Sequence, residues 1–89
     1  MLARDVTISN RLGLHARAAA KLVNVASGYA AEVMLHKNGQ RVNGKSIMGV
    51  MMLAASQGTV LHLTVDGEGE EQAMAALVDL IDNKFGEGE

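Results

Sequence analysis

Cysteine and proline are absent from this chain of 89 residues, and Tyr29 and Phe85 are its only aromatic side chains. Without cysteine the chain cannot form a disulfide framework, a Cys-x-x-Cys redox site or a thiolate metal site. With so few aromatics, a core must be built from Val, Leu, Ile, Met and Ala. Hydrophobic residues make up 48% of the chain, which favours a globular domain over disorder.

Strong charge and long apolar runs are also missing. The formal net charge is −2, so the molecule as a whole has no basic field for nucleic acid. No apolar run approaches the 18 residues of a membrane span, and the N-terminus lacks the apolar core of a signal peptide. We therefore expect one small cytoplasmic domain over residues 1–89, monomeric, with no nucleic-acid or membrane partner.

Alternating apolar residues predict four short strands. Residues 3–9 place Val6 and Ile8 on one face, and residues 59–67 do the same with Leu61, Leu63 and Val65, which indicates strands with one buried side. Residues 31–43 are typical of a β-hairpin, because Asn38 and Gly39 suit a type I′ turn, in which both central residues need a positive φ.

Two stretches with helical spacing predict longer helices. The first covers residues 16–27, and we expect Gly28 to end it in the left-handed conformation. The second covers residues 70–85 with Lys84 in its last turn, where a cation complements the helix dipole. The remaining residues 86–89 are expected to form a frayed acidic tail.

A short third helix is predicted over residues 47–54, with Ser46 as its N-cap. Its apolar residues are too many for one buried face, so we assign Val50, Leu53 and Ala54 to the core. The others are expected to stay partly exposed as a flexible docking surface beside Ala16 and Ala20, although a methionine-rich core is an equally open interpretation. These exposed residues are Ile47, Met48 and Met51.

The resulting order is β-α-β-β-α-β-α. It predicts an α+β fold, an open-faced sandwich in which a four-stranded antiparallel sheet carries three helices on one face.

His15 and Arg17 are the strongest candidates for chemistry. His15 stands where the first helix begins, and the unpaired amides there carry about half a positive charge. That charge favours a neutral, nucleophilic imidazole and would stabilise an anion added to it. Arg17 can donate charge-assisted hydrogen bonds to such an anion. Spacing alone leaves open that His15 is an ordinary surface histidine.

The other polar candidates, two histidines and a serine, give weaker indications of a functional site than His15 and Arg17. His36 and His62 fall on the solvent side of their strands without acidic or cysteine ligands at suitable spacing, so we expect no metal and no cofactor. Ser46 has a structural role as a cap and an alternative role as a phosphorylation site, since a helix N-terminus tolerates a phosphate.

Two segments give the chain a family resemblance. GLHARAAAKLV, at 13–23, and GKSIMGVMMLAASQGT, at 44–59, resemble the signature segments of HPr, the histidine phosphocarrier family of the bacterial phosphotransferase system. The resemblance covers residues 2–85 and includes the predicted order of elements.

The resemblance implies a role for each candidate. His15 would accept a phosphoryl group on Nδ1 from enzyme I and pass it to a histidine of an EIIA protein, with Arg17 stabilising the phosphate. Ser46 would match the family's regulatory serine, the target of a serine kinase. The docking surface would comprise Ala16, Ala20, Ile47, Met48 and Met51.

Three positions depart from the sugar-branch pattern. Ala18 stands where the family usually has proline, and alanine preserves the helix while adding one free amide. Asn24 and Gly49 stand where sugar-branch members often have lysine. The chain looks more like the nitrogen-branch form, NPr, which would imply enzyme I-Ntr and EIIA-Ntr as partners, with the sugar branch as the alternative.

Two other classes of function remain open. A regulatory binding module could act through the second helix, but relatives of that kind have lost the histidine that this chain retains at position 15. A small metal-carrier domain could share the architecture, but the lack of cysteine argues against it.

Overall fold

The computed structural model describes residues 1–87 and contains four strands and three α-helices. The strands are β1 (Leu2–Thr7), β2 (Glu32–Lys37), β3 (Gln40–Asn43) and β4 (Val60–Asp66). The helices are α1 (Ala16–Ser27), α2 (Ile47–Met52) and α3 (Glu70–Asp82), and a 3₁₀ turn, Lys84–Gly86, follows α3. The element order matches the order predicted from the sequence.

The strands form one antiparallel sheet in the order β1-β4-β2-β3. The β2–β3 hairpin turns at Asn38 and Gly39, with φ of 48° and 80°, as predicted for a type I′ turn. Alternate strand residues such as Val33, Leu35 and Leu63 are buried on the face that the helices cover. The other face is open to solvent, so the predicted α+β fold with an open-faced sheet is confirmed.

Aliphatic side chains and one phenyl ring make up the core. Leu22 from α1, Val50 from α2 and Leu77 from α3 belong to the same buried cluster as the apolar side chains of the sheet. Phe85 is fully buried in the same cluster although it follows α3. No helix within residues 1–87 is both long enough and apolar enough to cross a bilayer.

The end of α1 differs from the prediction, because Gly28 is right-handed, with φ −75° and ψ −6°. The amide N–H of Gly28 donates to Val25 O at 3.1 Å, and that of Tyr29 donates to Ala26 O at 3.2 Å. The last turn therefore tightens into i→i−3 bonds, which satisfy the terminal carbonyls without a positive φ.

The end of α3 also differs, because the helix stops at Asp82 rather than continuing to residue 85. Lys84, Phe85 and Gly86 have φ of 56°, 55° and 75°. Left-handed backbone is unfavourable for residues with a Cβ, but here it turns Phe85 into the core. Tertiary burial thus overrides the helical pattern, and Lys84 does not lie in the last turn of the helix.

Two further predictions need correction. Ala54 is exposed and left-handed, with φ 50°, and the adjacent Ala55 is buried instead. The α2 helix is shorter than predicted, and the turn at Ala54 changes which alanine faces inward. The tail prediction is wrong at Glu87, whose side chain is only 15% exposed. Positions 88 and 89 lie outside the described residues.

Candidate functional site

The loop between β1 and α1 is held by backbone bonds and one buried side chain. Gly13 has φ 67°, and a Cβ there would lie 2.4 Å from Ala55 O, so only glycine fits. The Leu14 N–H donates to Ala55 O at 2.8 Å. Fully buried Asn10 donates from Nδ2 to Gly13 O at 2.7 Å. These contacts fix the point at which His15 enters α1.

His15 is the N-cap residue of α1, but its side chain makes no capping bond. Its backbone carbonyl accepts from Ala19 N at 2.8 Å, while Nε2 of the imidazole contacts the carboxylate of Glu87. Amides at a helix N-terminus have no partner within the helix. The arrangement therefore combines a histidine ring with an uncapped, partly positive helix end, as the sequence predicts.

An open depression of about 710 Å³ surrounds His15. Arg17, exposed on the first turn of α1, lines it together with Lys21 from the next turn. Within residues 1–87, no carboxylate pairs with the Arg17 guanidinium. Three cationic side chains, those of Arg11, Arg17 and Lys21, thus line a space beside a helix N-terminus that an anion can enter, with Glu87 as the one carboxylate among the described lining residues. Among residues 1–87, the lining consists of Arg11, Leu12, His15, Ala16, Arg17, Lys21, Gly86 and Glu87.

Glu87 is a site residue that the sequence did not predict. Its carboxylate accepts from His15 Nε2 through one oxygen and from Asn10 Nδ2 at 2.9 Å through the other. The bond from Asn10 lowers the pKa of Glu87 below its ordinary value, and the nearby His15 and Lys21 lower it further. Glu87 is therefore ionised at neutral pH. No local signal could have identified it, because 72 positions separate it from His15.

Ser46 begins α2 as the predicted N-cap. Its Oγ accepts from Gly49 N at 3.1 Å, which satisfies one of the free amides of this short helix. Lys45, the preceding residue, donates from Nζ to Tyr29 O at 2.7 Å. The capping role of Ser46 is thus confirmed.

An apolar surface lies on α2, and we call it the α2 surface. The exposed fractions of its four side chains range from 42% to 75%, which is unusual for large apolar side chains in one patch. Three of its members were predicted, and Met52 is an addition. Its members are Ile47, Met48, Met51 and Met52.

Smaller apolar side chains extend toward His15. Ala16 is exposed, Ala20 is half-buried, and Leu12 is exposed although the sequence did not single it out. Because α1 and α2 contact each other, these residues and the α2 surface belong to the helical side of the molecule.

His36 and His62 lie on the open face of the sheet, away from the helices that carry the site. They face each other across β2 and β4, with ring centroids 5.7 Å apart. His62 Nδ1 bonds to Asp5 Oδ1 at 2.7 Å. Their solvent-side location agrees with the sequence prediction, but the contact with Asp5 could not be read from local spacing.

Comparison with known proteins gives one consistent family. Residues 2–83 match the family model PTS-HPr, described as the PTS HPr component phosphorylation site. Proteins named Phosphocarrier protein HPr are 56% identical in Cupriavidus necator and 57% in Neisseria meningitidis, in each case over all of both chains. The one from Pseudomonas aeruginosa is 58% identical, also over all of both chains.

Solved structures agree with the sequence comparison. The crystal structure of HPr-C-His from Thermoanaerobacter tengcongensis superposes with a TM-score of 0.94 at 48% identity, covering 98% of each chain. A dimer of HPr from the same organism gives a TM-score of 0.79 at 50% identity, covering 92% of this chain and 94% of the other.

Proposed function

Since the chain belongs to the HPr family of phosphocarrier proteins of the phosphotransferase system, we propose that His15 carries the phosphoryl group, taking it from enzyme I and giving it to a histidine of an EIIA protein. The observation that supports this role is the placement of the imidazole at an uncapped helix N-terminus, in a depression shared with Arg17.

The proposed step is an in-line transfer between two imidazoles. The lone pair of His15 Nδ1 attacks phosphorus, the Nδ1–P bond forms, and the N–P bond of the donor phosphohistidine breaks. The electron pair of the broken bond returns to the donor nitrogen. The donor ring, protonated on its other nitrogen, leaves as a neutral imidazole, and His15, protonated on Nε2, becomes the phosphorylated imidazolium, so no proton has to move. Arg17 and the helix N-terminus stabilise the charge on the phosphoryl oxygens, so catalysis rests on positioning and electrostatics.

The α2 surface, together with Ala16 and Ala20, is the proposed docking site for both partners. Its exposed methionines are flexible and polarisable, and such side chains can repack against different proteins. One surface beside His15 could then serve the donor and the acceptor in turn. Leu12 is also exposed and lines the depression around His15, so it adds to the apolar side chains available to a partner.

Ser46 is the proposed site of regulatory phosphorylation by a serine kinase. Its Oγ already faces the Gly49 amide, so a phosphate there would meet the first turn of α2 and add up to two negative charges beside the docking surface. That added charge would disfavour apolar docking.

The nitrogen branch is the finer proposal. It rests on the likeness of the two signature segments to NPr and on Asn24 and Gly49 in place of lysines. The curated relatives carry the name HPr without a branch. Enzyme I-Ntr and EIIA-Ntr are therefore the proposed partners, with sugar-branch enzyme I and EIIA as the alternative pair.

Intact-protein mass spectrometry tests the carrier role. We expect a gain of one phosphate after incubation with phosphoenolpyruvate and enzyme I, with the faster of the two branch enzymes identifying the branch. His15→Ala should abolish the gain, whereas His36→Ala and His62→Ala, matched controls on the open face, should retain it. Phosphate uptake by His15→Ala, or none by the wild type with either enzyme, would contradict the proposal.

A failed transfer would point to the regulatory alternative. In that case the α2 surface should still bind a partner without phosphate, and His15→Ala should bind as well as the wild type.

A further inference from the structure

Glu87 contacts the nitrogen of His15 opposite the one that is proposed to accept phosphate. Its carboxylate accepts a hydrogen bond from Nε2, and an ionised carboxylate can only accept. The proton of a neutral imidazole must therefore reside on Nε2 when this bond is made. Nδ1 then carries the lone pair, and no partner for Nδ1 is seen among the described residues.

From this geometry we propose that Glu87 is a positioning residue, which holds His15 in the Nε2–H tautomer and thereby keeps Nδ1 ready for phosphoryl transfer. That this tautomer assists phosphoryl transfer rests on the proposed function, whereas the tautomer itself follows from the contact between Glu87 and Nε2.

The carboxylate is held in place from several directions. Asn10, fully buried, donates to it at 2.9 Å and also donates to Gly13 O in the loop before His15. One amide thus ties Glu87 to the loop that sets the position of the histidine. The Lys21 Nζ donates to Phe85 O at 2.6 Å, which anchors the backbone two residues before Glu87.

The backbone before Glu87 is in an unfavourable conformation that brings the carboxylate to the site. Lys84 and Phe85 are both left-handed, a backbone conformation that is unfavourable for residues with a Cβ. Burial of Phe85 offsets this cost, and the turn redirects the chain toward His15. A plain helical extension of α3 would not turn the chain in this way.

The same contact also suits the product of transfer. Attack by Nδ1 while Nε2 keeps its proton leaves a positive charge on the phosphorylated ring. Glu87 then faces that charge directly through the Nε2–H bond. A carboxylate that orients a histidine and stabilises its cationic ring plays the same part in serine hydrolases.

Another histidine of this chain provides the opposite arrangement. His62 meets the carboxylate of Asp5 through Nδ1 rather than Nε2. By the same reasoning its proton should reside on Nδ1. Two carboxylate–histidine pairs in one molecule are thus expected to select opposite tautomers, which provides an internal reference for the experiment.

Ring-nitrogen NMR of uniformly ¹⁵N-labelled protein, at a pH where the imidazoles are neutral, tests the tautomer. The wild type should show His15 as Nε2–H and His62 as Nδ1–H. In Glu87→Ala, the Nε2–H to Nδ1–H ratio of His15 should fall by about three- to tenfold, the range expected for a partly exposed charge-assisted bond. His62 should not change, and neither should His15 in the control Glu71→Gln, which alters an exposed glutamate of α3.

Phosphoryl uptake from phosphorylated enzyme I tests the consequence. Glu87→Ala should slow uptake about three- to tenfold, and Glu71→Gln should not. An unchanged tautomer ratio in Glu87→Ala, or a changed ratio with uptake at the wild-type rate, would overturn the positioning role. If the wild type itself takes up no phosphate, the proposed function fails, and that result is separate from either outcome for Glu87.

Discussion

The N-termini of α1 and α2 begin in different ways, and the difference separates a functional helix end from a structural one. At α2 the cap side chain of Ser46 turns inward and bonds to the Gly49 amide. At α1 the cap residue His15 makes no such bond, and its imidazole turns toward a carboxylate from the end of the chain. One helix end thus satisfies an amide with its own cap, whereas at the other no side chain among residues 1–87 caps the first amides, so an incoming anion can bind them.

The largest expected effect concerns the cation at the uncapped end. Arg17→Ala should slow phosphoryl uptake about 10- to 100-fold, because charge-assisted hydrogen bonds contribute about 1.5–3 kcal/mol. The uptake rate of Arg17→Lys should lie between those of the wild type and Arg17→Ala, since lysine keeps the charge but lacks the planar guanidinium. Rapid-quench measurement of the phosphorylated fraction by intact mass gives these rates.

Arg41→Ala is the matched control, because Arg41 is exposed on β3, away from the depression around His15. Uptake by Arg17→Ala at the rate of this control would remove the distinction between the two helix ends.

The next effect is on stability, where the cap residue of α2 should matter more than the cap residue of α1. Ser46→Ala should lower the free energy of unfolding by about 1 kcal/mol, because it removes the bond to the Gly49 amide. His15→Ala should change it by no more than about 0.5 kcal/mol, because His15 caps nothing and its contact with Glu87 is partly open to solvent. Urea unfolding followed by far-UV circular dichroism measures both.

Equal losses of unfolding free energy in the two variants would mean that His15 stabilises its helix as Ser46 does. Ser46→Ala should also retain phosphoryl uptake, which separates the structural role of Ser46 from the proposed carrier role of His15 in a second assay.

The smallest effect is a dependence on pH that only the α1 end should show. The pKa of Glu87 is lowered, first by the bond from Asn10 and then by His15 and Lys21. A lowered native pKa means that the carboxylate stabilises the fold above the ordinary value of 4.5. That contribution is lost as the pH falls through the native pKa. The Ser46 hydroxyl does not titrate in this range, so its cap should persist.

Carboxyl ¹³C titration measures this difference. Asn10→Ala should raise the pKa of Glu87 toward 4.5. Glu70 is the internal control, since the Gly67 amide lowers the pKa of its carboxyl independently. A native Glu87 that titrates at its ordinary value would contradict the docked position of its carboxylate.

Local patterns were sufficient for the elements and for two of the site residues. The bounds of α1, the Asn38–Gly39 turn and the Ser46 cap all depend on residues within four positions of one another, where propensity and backbone geometry decide. Alternation likewise predicted the open face of the sheet. His15 and Arg17 share one helical turn, so their proximity in the depression also follows from the sequence.

What the sequence alone determined, then, is the order of elements, the apolar faces and the histidine at the start of α1. The tertiary structure alone decided the left-handed turn at Lys84 and Phe85 and the arrival of Glu87 at His15. Both depend on burial of Phe85 against a core assembled from distant segments. Helical periodicity over residues 70–85 cannot reveal that the last residues are more stable when they turn inward. The turn is stabilised by tertiary contacts of Phe85 and not by local propensity.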